Sequence, residues 1–170
     1  RLDGGDKLTP GDGQFNDQFG VSVALDGDTA LVGAYFEDEG GADAGAAYVF
    51  VRSGGNWTEE DKLMADDAAT LDEFGYSVAL EGDTALISAR FDDDVAAESG
   101  SAYIFTRSGG AWTQQQKLTA SDAAGNDRFG QSVAISGGVA LIGARFDDVG
   151  GGDSGSAYGF TNSSGTWSGP

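Results

Sequence analysis

The 170-residue chain contains neither cysteine nor histidine. Without cysteine it has no disulfide and no thiolate metal ligand, so its fold must be stable through packing alone. The two absences also exclude a Ser-His-Asp triad, a Cys-His dyad and histidine-ligated zinc, which are the commonest hydrolytic sites. No phosphate-cradling loop or dinucleotide fingerprint is present either. These absences predict a protein that is not an enzyme.

Basic residues and long apolar runs are also scarce. Nine lysines and arginines stand against 28 acids, and the net charge of −19 repels phosphate backbones and anionic lipids. No stretch approaches the roughly 18 apolar residues of a membrane span. We therefore expect neither nucleic acid nor membrane insertion. Because the chain starts at Arg1 rather than at Met, we expect a processed or excised segment.

Proline is rare as well, whereas glycine is abundant: 2 prolines stand beside 29 glycines. The glycines follow no collagen-like three-residue period, so they are expected to serve turns and close strand packing. With 39% hydrophobic residues, the chain can still build a core. The composition predicts a β-protein with many turns.

A unit of 55 residues occurs three times along the chain. Residues 55 apart are hereafter said to share a repeat position. The shared positions are Lys7-Leu8, Lys62-Leu63 and Lys117-Leu118; Phe19-Gly20, Phe74-Gly75 and Phe129-Gly130; Tyr48, Tyr103 and Tyr158; and Trp57, Trp112 and Trp167. The period is close to the length of a four-stranded propeller blade and exceeds that of most helical repeats.

Each unit contains four predicted strands. In the first unit they cover residues 19–25, 29–35, 46–51 and 56–64. Alternation places Leu31 and Val32 on opposite faces, and Tyr48 and Phe50 on one face. The fourth strand is polar, as expected of an exposed edge. The predicted fold is all-β, with three four-stranded antiparallel β-propeller-type blades over residues 10–64, 65–119 and 120–170, the last with an incomplete fourth strand.

Three segments carry a family resemblance. FGVSVALDGDTALVGA (19–34), FGYSVALEGDTALISA (74–89) and FGQSVAISGGVALIGA (129–144), each followed by G-[AS]-A-Y-x-F, resemble FG-GAP repeats of the bacterial and archaeal surface-protein type. That family is similar to the propeller repeats of integrin α-subunits, which implies an extracellular or cell-surface setting and a role in adhesion, ligand binding or scaffolding. Integrin-type repeats often carry a calcium loop between the first two strands, where this chain has only short turns.

Acidic loops between the second and third strands are the candidate cation sites. Calcium binds six to eight oxygens from carboxylates and carbonyls, and a glycine-rich loop can supply the carbonyls. The alternative is a solvated acidic loop without metal. Three nearly identical loops argue against a single catalytic carboxylate pair. The candidate ligands are Glu37, Asp38 and Asp43; Asp92, Asp93 and Glu98; and Asp147, Asp148 and Asp153.

Tryptophans and sequons offer two further candidates. Each unit has one tryptophan at the start of its outer strand, and we favour a packing wedge between blades over a sugar-stacking platform. Asn56 and Asn162 begin sequences that match the N-glycosylation pattern, which matters only in an organism that glycosylates secreted proteins.

The ends of the chain predict self-association. Residues 1–9 align with the fourth strands of the first two units, whereas the third unit stops before its fourth strand is complete. We expect residues 2–9 to add as an antiparallel strand to a neighbouring copy, with Leu2 and Leu8 becoming buried. The acceptor edge contains Ser156, Tyr158 and Phe160. Such a contact closes a ring or continues into a filament.

Two functions are compatible with these features. One is a non-enzymatic extracellular structural or adhesive protein whose copies assemble with one another, as a ring or a filament. The other is a piece of a longer propeller that binds a glycan or protein ligand, with calcium in its acidic loops. In that second case the terminal strand would pair within the longer chain.

Overall fold

The computed structural model describes residues 6–170, which form three successive four-stranded antiparallel sheets. The first sheet contains β1 (Val23–Asp26), β2 (Thr29–Ala34), β3 (Ala46–Ser53) and β4 (Asn56–Leu63). The second contains β5 (Phe74–Glu81), β6 (Thr84–Ala89), β7 (Ser101–Ser108) and β8 (Ala111–Leu118). The third contains β9 (Phe129–Ser136), β10 (Val139–Ala144), β11 (Ser156–Ser163) and β12 (Thr166–Ser168). The predicted all-β fold with three four-stranded units is confirmed.

Strands within each sheet follow one another in chain order. Short glycine turns join β1 to β2 and β3 to β4, and a longer acidic loop joins β2 to β3. No helix in the described part of the chain is long and apolar enough to cross a membrane. Each sheet is therefore a meander built from one sequence unit.

The core lies between neighbouring sheets. Leu31 and Val49 of the first sheet share a buried cluster with Phe74 and Ile87 of the second. A matching cluster joins the second and third sheets. Val32, Tyr48 and Phe50 lie on the opposite face of the first sheet, which confirms the predicted alternation. Both faces of the inner strands are buried, as in sheets covered on two sides.

Glycine permits the sheets to approach backbone to backbone. A β-carbon on Gly33 would lie 1.9 Å from the carbonyl oxygen of Gly75. Gly45 has a φ of +87° and forms an isolated parallel bridge with Phe74. Only glycine tolerates this backbone conformation where so little space is left for a side chain.

The first and last strands of the chain differ from their counterparts. β1 begins at Val23 rather than at residue 19, whereas β5 and β9 begin at a phenylalanine. Phe74 bridges Gly45 of the preceding sheet, and Phe19 has no preceding sheet in the described part of the chain. β12 has three residues instead of the eight of β8.

The predicted N-terminal strand lies only partly within the described part of the chain. Residues 6–10 belong to no strand, and residues 1–5, including Leu2, lie outside the described part. A lone edge segment has no partner for its backbone N–H and C=O groups, so strand pairing here requires another sheet edge.

Candidate functional site

A lysine of the fourth strand lies among carboxylates in the first unit. The ammonium Nζ of Lys62 donates hydrogen bonds to Oδ2 of Asp12 at 2.6 Å, Oε1 of Glu37 at 2.9 Å and Oε2 of Glu39 at 2.7 Å. Carboxylate oxygens of the three acids lie within 4.8 Å of one another. We call this arrangement, together with Tyr48, whose hydroxyl donates to Asp12, a lysine site.

The second unit repeats the lysine site. Lys117 Nζ donates to Asp67 at 2.8 Å, Asp92 at 2.7 Å and Asp94 at 2.6 Å. The hydroxyl of Tyr103 also donates to Asp92, at 2.7 Å. Asp92 is buried, and its charge is balanced by the lysine rather than by water.

Strand register places the lysine over the acidic loop. Lys62 is paired with Tyr48 across β3 and β4, so both side chains lie on one face of the sheet. The ammonium lies 5.5 Å from the centre of the Tyr48 ring. The loop between β2 and β3 is closed by a hydrogen bond from the Gly45 N–H to the Glu37 carbonyl at 2.9 Å. This closure holds the Glu37 side chain at the lysine.

Within each lysine site, hydrogen bonds between the ammonium and the carboxylates shift the pKa values of these groups. Burial acts to lower the pKa of Lys62, but hydrogen bonds to Asp12, Glu39 and Glu37 outweigh it and raise that pKa. The pKa of Lys117 is raised in the same way by Asp67, Asp92 and Asp94. The hydrogen bond from Lys62 lowers the pKa of Asp12. Lys62 and Asp12 are therefore both ionised at neutral pH, and three carboxyl groups surround the one ammonium.

The third unit has the acids and the tyrosine but lacks the lysine contact. The Tyr158 hydroxyl lies 2.8 Å from Asp122 and also within hydrogen-bond distance of the buried Asp147, so its single proton is shared between the two carboxylates. The hydrogen bond from Tyr158 and one from the Val149 N–H hold the pKa of Asp147 below its usual value. Among the described residues no salt bridge joins a lysine to Asp122 or Asp147. Val149 stands at the repeat position of Glu39 and Asp94.

The repeats match a known family. The FG-GAP repeat model matches residues 5–50, 57–105 and 112–160, which together make up most of the chain. The chain belongs to the FG-GAP repeat family. The protein is also similar in fold to a crystal structure, that of the computationally designed Ika4 protein, at 11% identity and a TM-score of 0.57 over 96% of this chain and 78% of that one. A comparison with curated proteins gave no match.

The acids predicted as cation ligands separate into different contacts in this FG-GAP repeat protein. Glu37, Asp92 and Asp147 share one repeat position and belong to the lysine sites or their third counterpart. Asp38 and Asp148 instead accept the N–H groups of Asp43 and Asp153, each at 2.8 Å. Glu98 pairs with Arg128 at 3.0 Å, and Asp93 is exposed. The predicted triads are therefore not brought together, and binding of calcium by these acids stays a prediction.

The sequence predicted only one of the three acids in each lysine site, Glu37 in the first unit and Asp92 in the second. Asp12 and Glu39 were not among the predicted residues, and Lys62 served only as a marker of the repeat. A signal was present, because Asp12, Asp67 and Asp122 share one repeat position. What the pattern could not show is that this position, before the first strand, meets the lysine 50 residues later.

The repeated tryptophans pack between sheets. Trp112 is buried in the cluster between the first two sheets, and its indole Nε1 donates to Glu60 of the first sheet at 3.0 Å. Trp167 is buried between the second and third sheets. Trp57 is half-buried against the outer cluster of the first sheet, which contains Val32, Tyr48 and Phe50. The packing interpretation is confirmed for Trp112 and Trp167.

The predicted sequons lie at exposed turns. Asn56 opens β4, and the side-chain oxygen of Asn162 accepts the Gly165 N–H at 2.9 Å. Both asparagines are exposed. Their modification stays a prediction.

The predicted assembly residues divide between the two ends of the FG-GAP repeat protein. Leu8 is half-buried and packs against the outer cluster of the first sheet. Tyr158 and Phe160 are buried on the side of the third sheet that faces the second, and Ser156 is half-buried at the start of β11. Leu2 lies outside the described residues. Strand donation itself is untested in a single chain.

Proposed function

We propose that this FG-GAP repeat protein is a non-enzymatic, extracellular structural or adhesive protein whose copies associate head to tail. FG-GAP repeats are generally non-enzymatic and typical of extracellular or surface proteins, which supports the class and the location. In the proposed contact the third sheet of one copy packs on the first sheet of the next. The N-terminal segment of the second copy adds a strand to the third sheet of the first copy.

The observation that carries the proposal is that the two end faces are the halves of an interface already present twice in the chain. Val23 on β1 is 68% exposed, whereas Val78 at the same repeat position is 6% exposed. Leu141 on β10 is 51% exposed, whereas Leu86 is fully buried. Each exposed residue lacks the neighbour that covers its counterpart. Joining the two faces would remove both from water, and apolar burial favours association.

Polar contacts between sheets follow the same repeat. The Ser22 hydroxyl oxygen accepts the Val78 N–H at 3.0 Å, and the Ser77 oxygen accepts the Val133 N–H at 3.2 Å. The next acceptor in this series is Ser132, and the donor that corresponds to it is the Val23 N–H of a following copy. The end faces therefore match in hydrogen bonding as well as in apolar surface.

The edge of β11 leaves room for a short added strand. β12 pairs only with Thr161, Asn162 and Ser163, so residues 156–160 have no partner on that side among the described residues. Trp167 of β12 has the same repeat position as Leu2, so the place that Leu2 would take in an added strand is already occupied. The added strand therefore consists of residues 6–9, which is shorter than the sequence prediction of residues 2–9.

Analytical ultracentrifugation of the full chain and of a variant lacking residues 1–9 tests the proposal. We expect the full chain to form assemblies that grow with concentration and the shortened chain to lose them. Val23→Asp and Leu141→Asp should each abolish assembly, because each places a charge in the joined face. Val95→Asp is the matched control, since Val95 is an exposed valine in the acidic loop of the second unit. Unchanged assembly in the shortened chain and both face variants would refute head-to-tail association.

A second candidate is a piece of a longer propeller that binds a glycan or a protein, with calcium in its acidic loops. The same end faces favour it, because further blades in one chain would cover them equally well. Electron microscopy separates the two: particles of uniform size with a closed ring favour the binding propeller, and long polymers favour the structural protein.

A further inference from the structure

The third unit has two acids and the tyrosine of a lysine site but no lysine contact among the described residues, and we propose that Lys7 of a second copy completes it. The Lys7 ammonium of the incoming N-terminal segment binds the carboxylates of Asp122 and Asp147 beside the Tyr158 hydroxyl. This inference rests on the proposed head-to-tail association and names the ionic contact that sets its register.

Repeat register places Lys7 at the site. Lys117 is paired with Tyr103 across β7 and β8, as Lys62 is with Tyr48. Lys7 shares their repeat position, so in an added strand it is paired with Tyr158. From the same position, the two lysines inside the chain both reach the acids of their own sheet.

The N-terminal segment already presents Lys7 outward. Leu63, the residue after Lys62, is buried in the cluster shared with the second sheet. Leu8, the residue after Lys7, packs against the outer cluster of its own first sheet in the same manner. Successive side chains of a strand point to opposite faces, so anchoring Leu8 on its own copy directs Lys7 toward the third sheet of the preceding copy. Lys7 is exposed in the single chain.

The chemistry of the third site suits an ammonium group. Asp147 is 2% exposed and ionised, and a buried carboxylate is unfavourable unless a cation balances it. The Tyr158 hydroxyl bridges Asp122 and Asp147, which keeps their oxygens around the place that the ammonium occupies in the other two units. Val149 replaces the third acid, so the incoming lysine meets two carboxylates rather than three.

An ionic contact at this point fixes the register of the added strand. Main-chain hydrogen bonds alone allow a short strand to slip, and a slip by one residue would turn Lys7 to the opposite face. The site thus selects one alignment, in which Lys7 lies over Tyr158 and Leu8 faces its own first sheet.

Zero-length carbodiimide cross-linking of the assembled full chain tests the contact directly. Mass spectrometry of a mixture of isotope-labelled and unlabelled copies should find a Lys7 to Asp122 link between copies. Links from Lys62 to Asp12 and from Lys117 to Asp67 within one copy are the internal standards, because both pairs lie within hydrogen-bond distance. Finding the standards without an intermolecular Lys7 link overturns the inference.

Charge exchange supplies the second measurement. Lys7→Asp should weaken assembly by roughly tenfold or more in Kd, as should Asp122→Lys. The double variant should regain assembly, whereas Lys7→Asp combined with Asp93→Lys should not, since Asp93 is an exposed acid of the second unit. Circular dichroism checks that each variant is folded.

The two proposals fail in different ways. If removal of residues 1–9 abolishes assembly but Lys7→Gln leaves it unchanged, the lysine contact is wrong and head-to-tail association stands. If the full chain stays monomeric at every concentration, both are wrong.

Discussion

The ammonium nitrogen of Lys62 lies 2.9 Å from Oε1 of Glu37, 25 residues earlier in the chain. Lys117 and Asp92 repeat this relationship at 2.7 Å and the same separation. Each contact joins the fourth strand of a sheet to the loop that follows its second strand. The contact holds the acidic loop against the fourth strand of its own sheet. The ammonium offsets the repulsion between the carboxylates of the loop, in a protein whose net charge is −19.

Removal of one lysine should reveal the strength of this contact. We expect Lys62→Gln to lower the free energy of unfolding by about 3 kcal/mol, because the buried Glu37 carboxylate loses its cation. Urea denaturation measures the change. Arg52→Gln is the control, since its ion pair with Asp28 is exposed on both sides and should contribute less than about 1 kcal/mol. Equal effects of the two variants would contradict a special role for the lysine site.

Calcium should distinguish the protein from its lysine-free variant. In the intact protein the ammonium lies among the carboxylates, so we expect the same thermal midpoint in calcium and in excess chelator. In Lys62→Gln, Asp12, Glu37 and Glu39 would offer oxygens within 4.8 Å of one another, and calcium should raise the midpoint. A calcium-dependent rise in the intact protein would instead support metal binding by the acidic loops.

The close approach between sheets should tolerate no side chain at Gly100. Its φ is +81°, and a β-carbon would lie 2.0 Å from the carbonyl oxygen of Phe129. We expect Gly100→Ala to lower the free energy of unfolding by roughly 3 kcal/mol or more. Gly109 has a φ of +63° with open space around it, so Gly109→Ala should lower it by only about 1 kcal/mol. Chemical denaturation of both variants compares the two; a similar loss would mean that backbone conformation alone is responsible.

Asp72 should make stability depend on pH in a mildly acidic range. Burial, followed by the nearby carboxylates of Asp92 and Asp93, raises the pKa of Asp72 to about 6 from a value of 3.8. The folded state therefore binds the proton of the Asp72 carboxyl more tightly than the unfolded state does. The contribution of Asp72 to the free energy of unfolding falls as the pH rises from 3.8 to about 6. Between pH 4 and pH 7, the free energy of unfolding of Asp72→Asn should rise by about 2 kcal/mol relative to that of the intact protein.

Free energies of unfolding measured across this pH range test the prediction. Asp66→Asn removes an exposed carboxylate from the same connection and corrects for the change in net charge. A constant difference between the intact protein and Asp72→Asn would show that Asp72 titrates alike in both states.

The sheets of this protein could be predicted from sequence because their signals are local. The third strand was predicted over residues 46–51 and extends over Ala46–Ser53. Alternation over a few residues correctly separated the faces of Leu31 and Val32. Exact repetition every 55 residues then extended one unit to all three. The shorter β1 could not be predicted, since its length depends on a neighbouring sheet rather than on its own residues.

The sites depended on tertiary structure. Glu37 and Asp38 are adjacent acids in one glycine-rich loop, yet Glu37 binds the Lys62 ammonium and Asp38 accepts the N–H of Asp43. No pattern of residue types separates them, because the difference arises from which way the folded loop turns each side chain. Lys62 meets Asp12 across 50 residues only once β4 has paired with β3. The sequence by itself determined the strands and their faces, through local alternation and turns, while the packing of strand, loop and neighbouring sheet decided which charges meet.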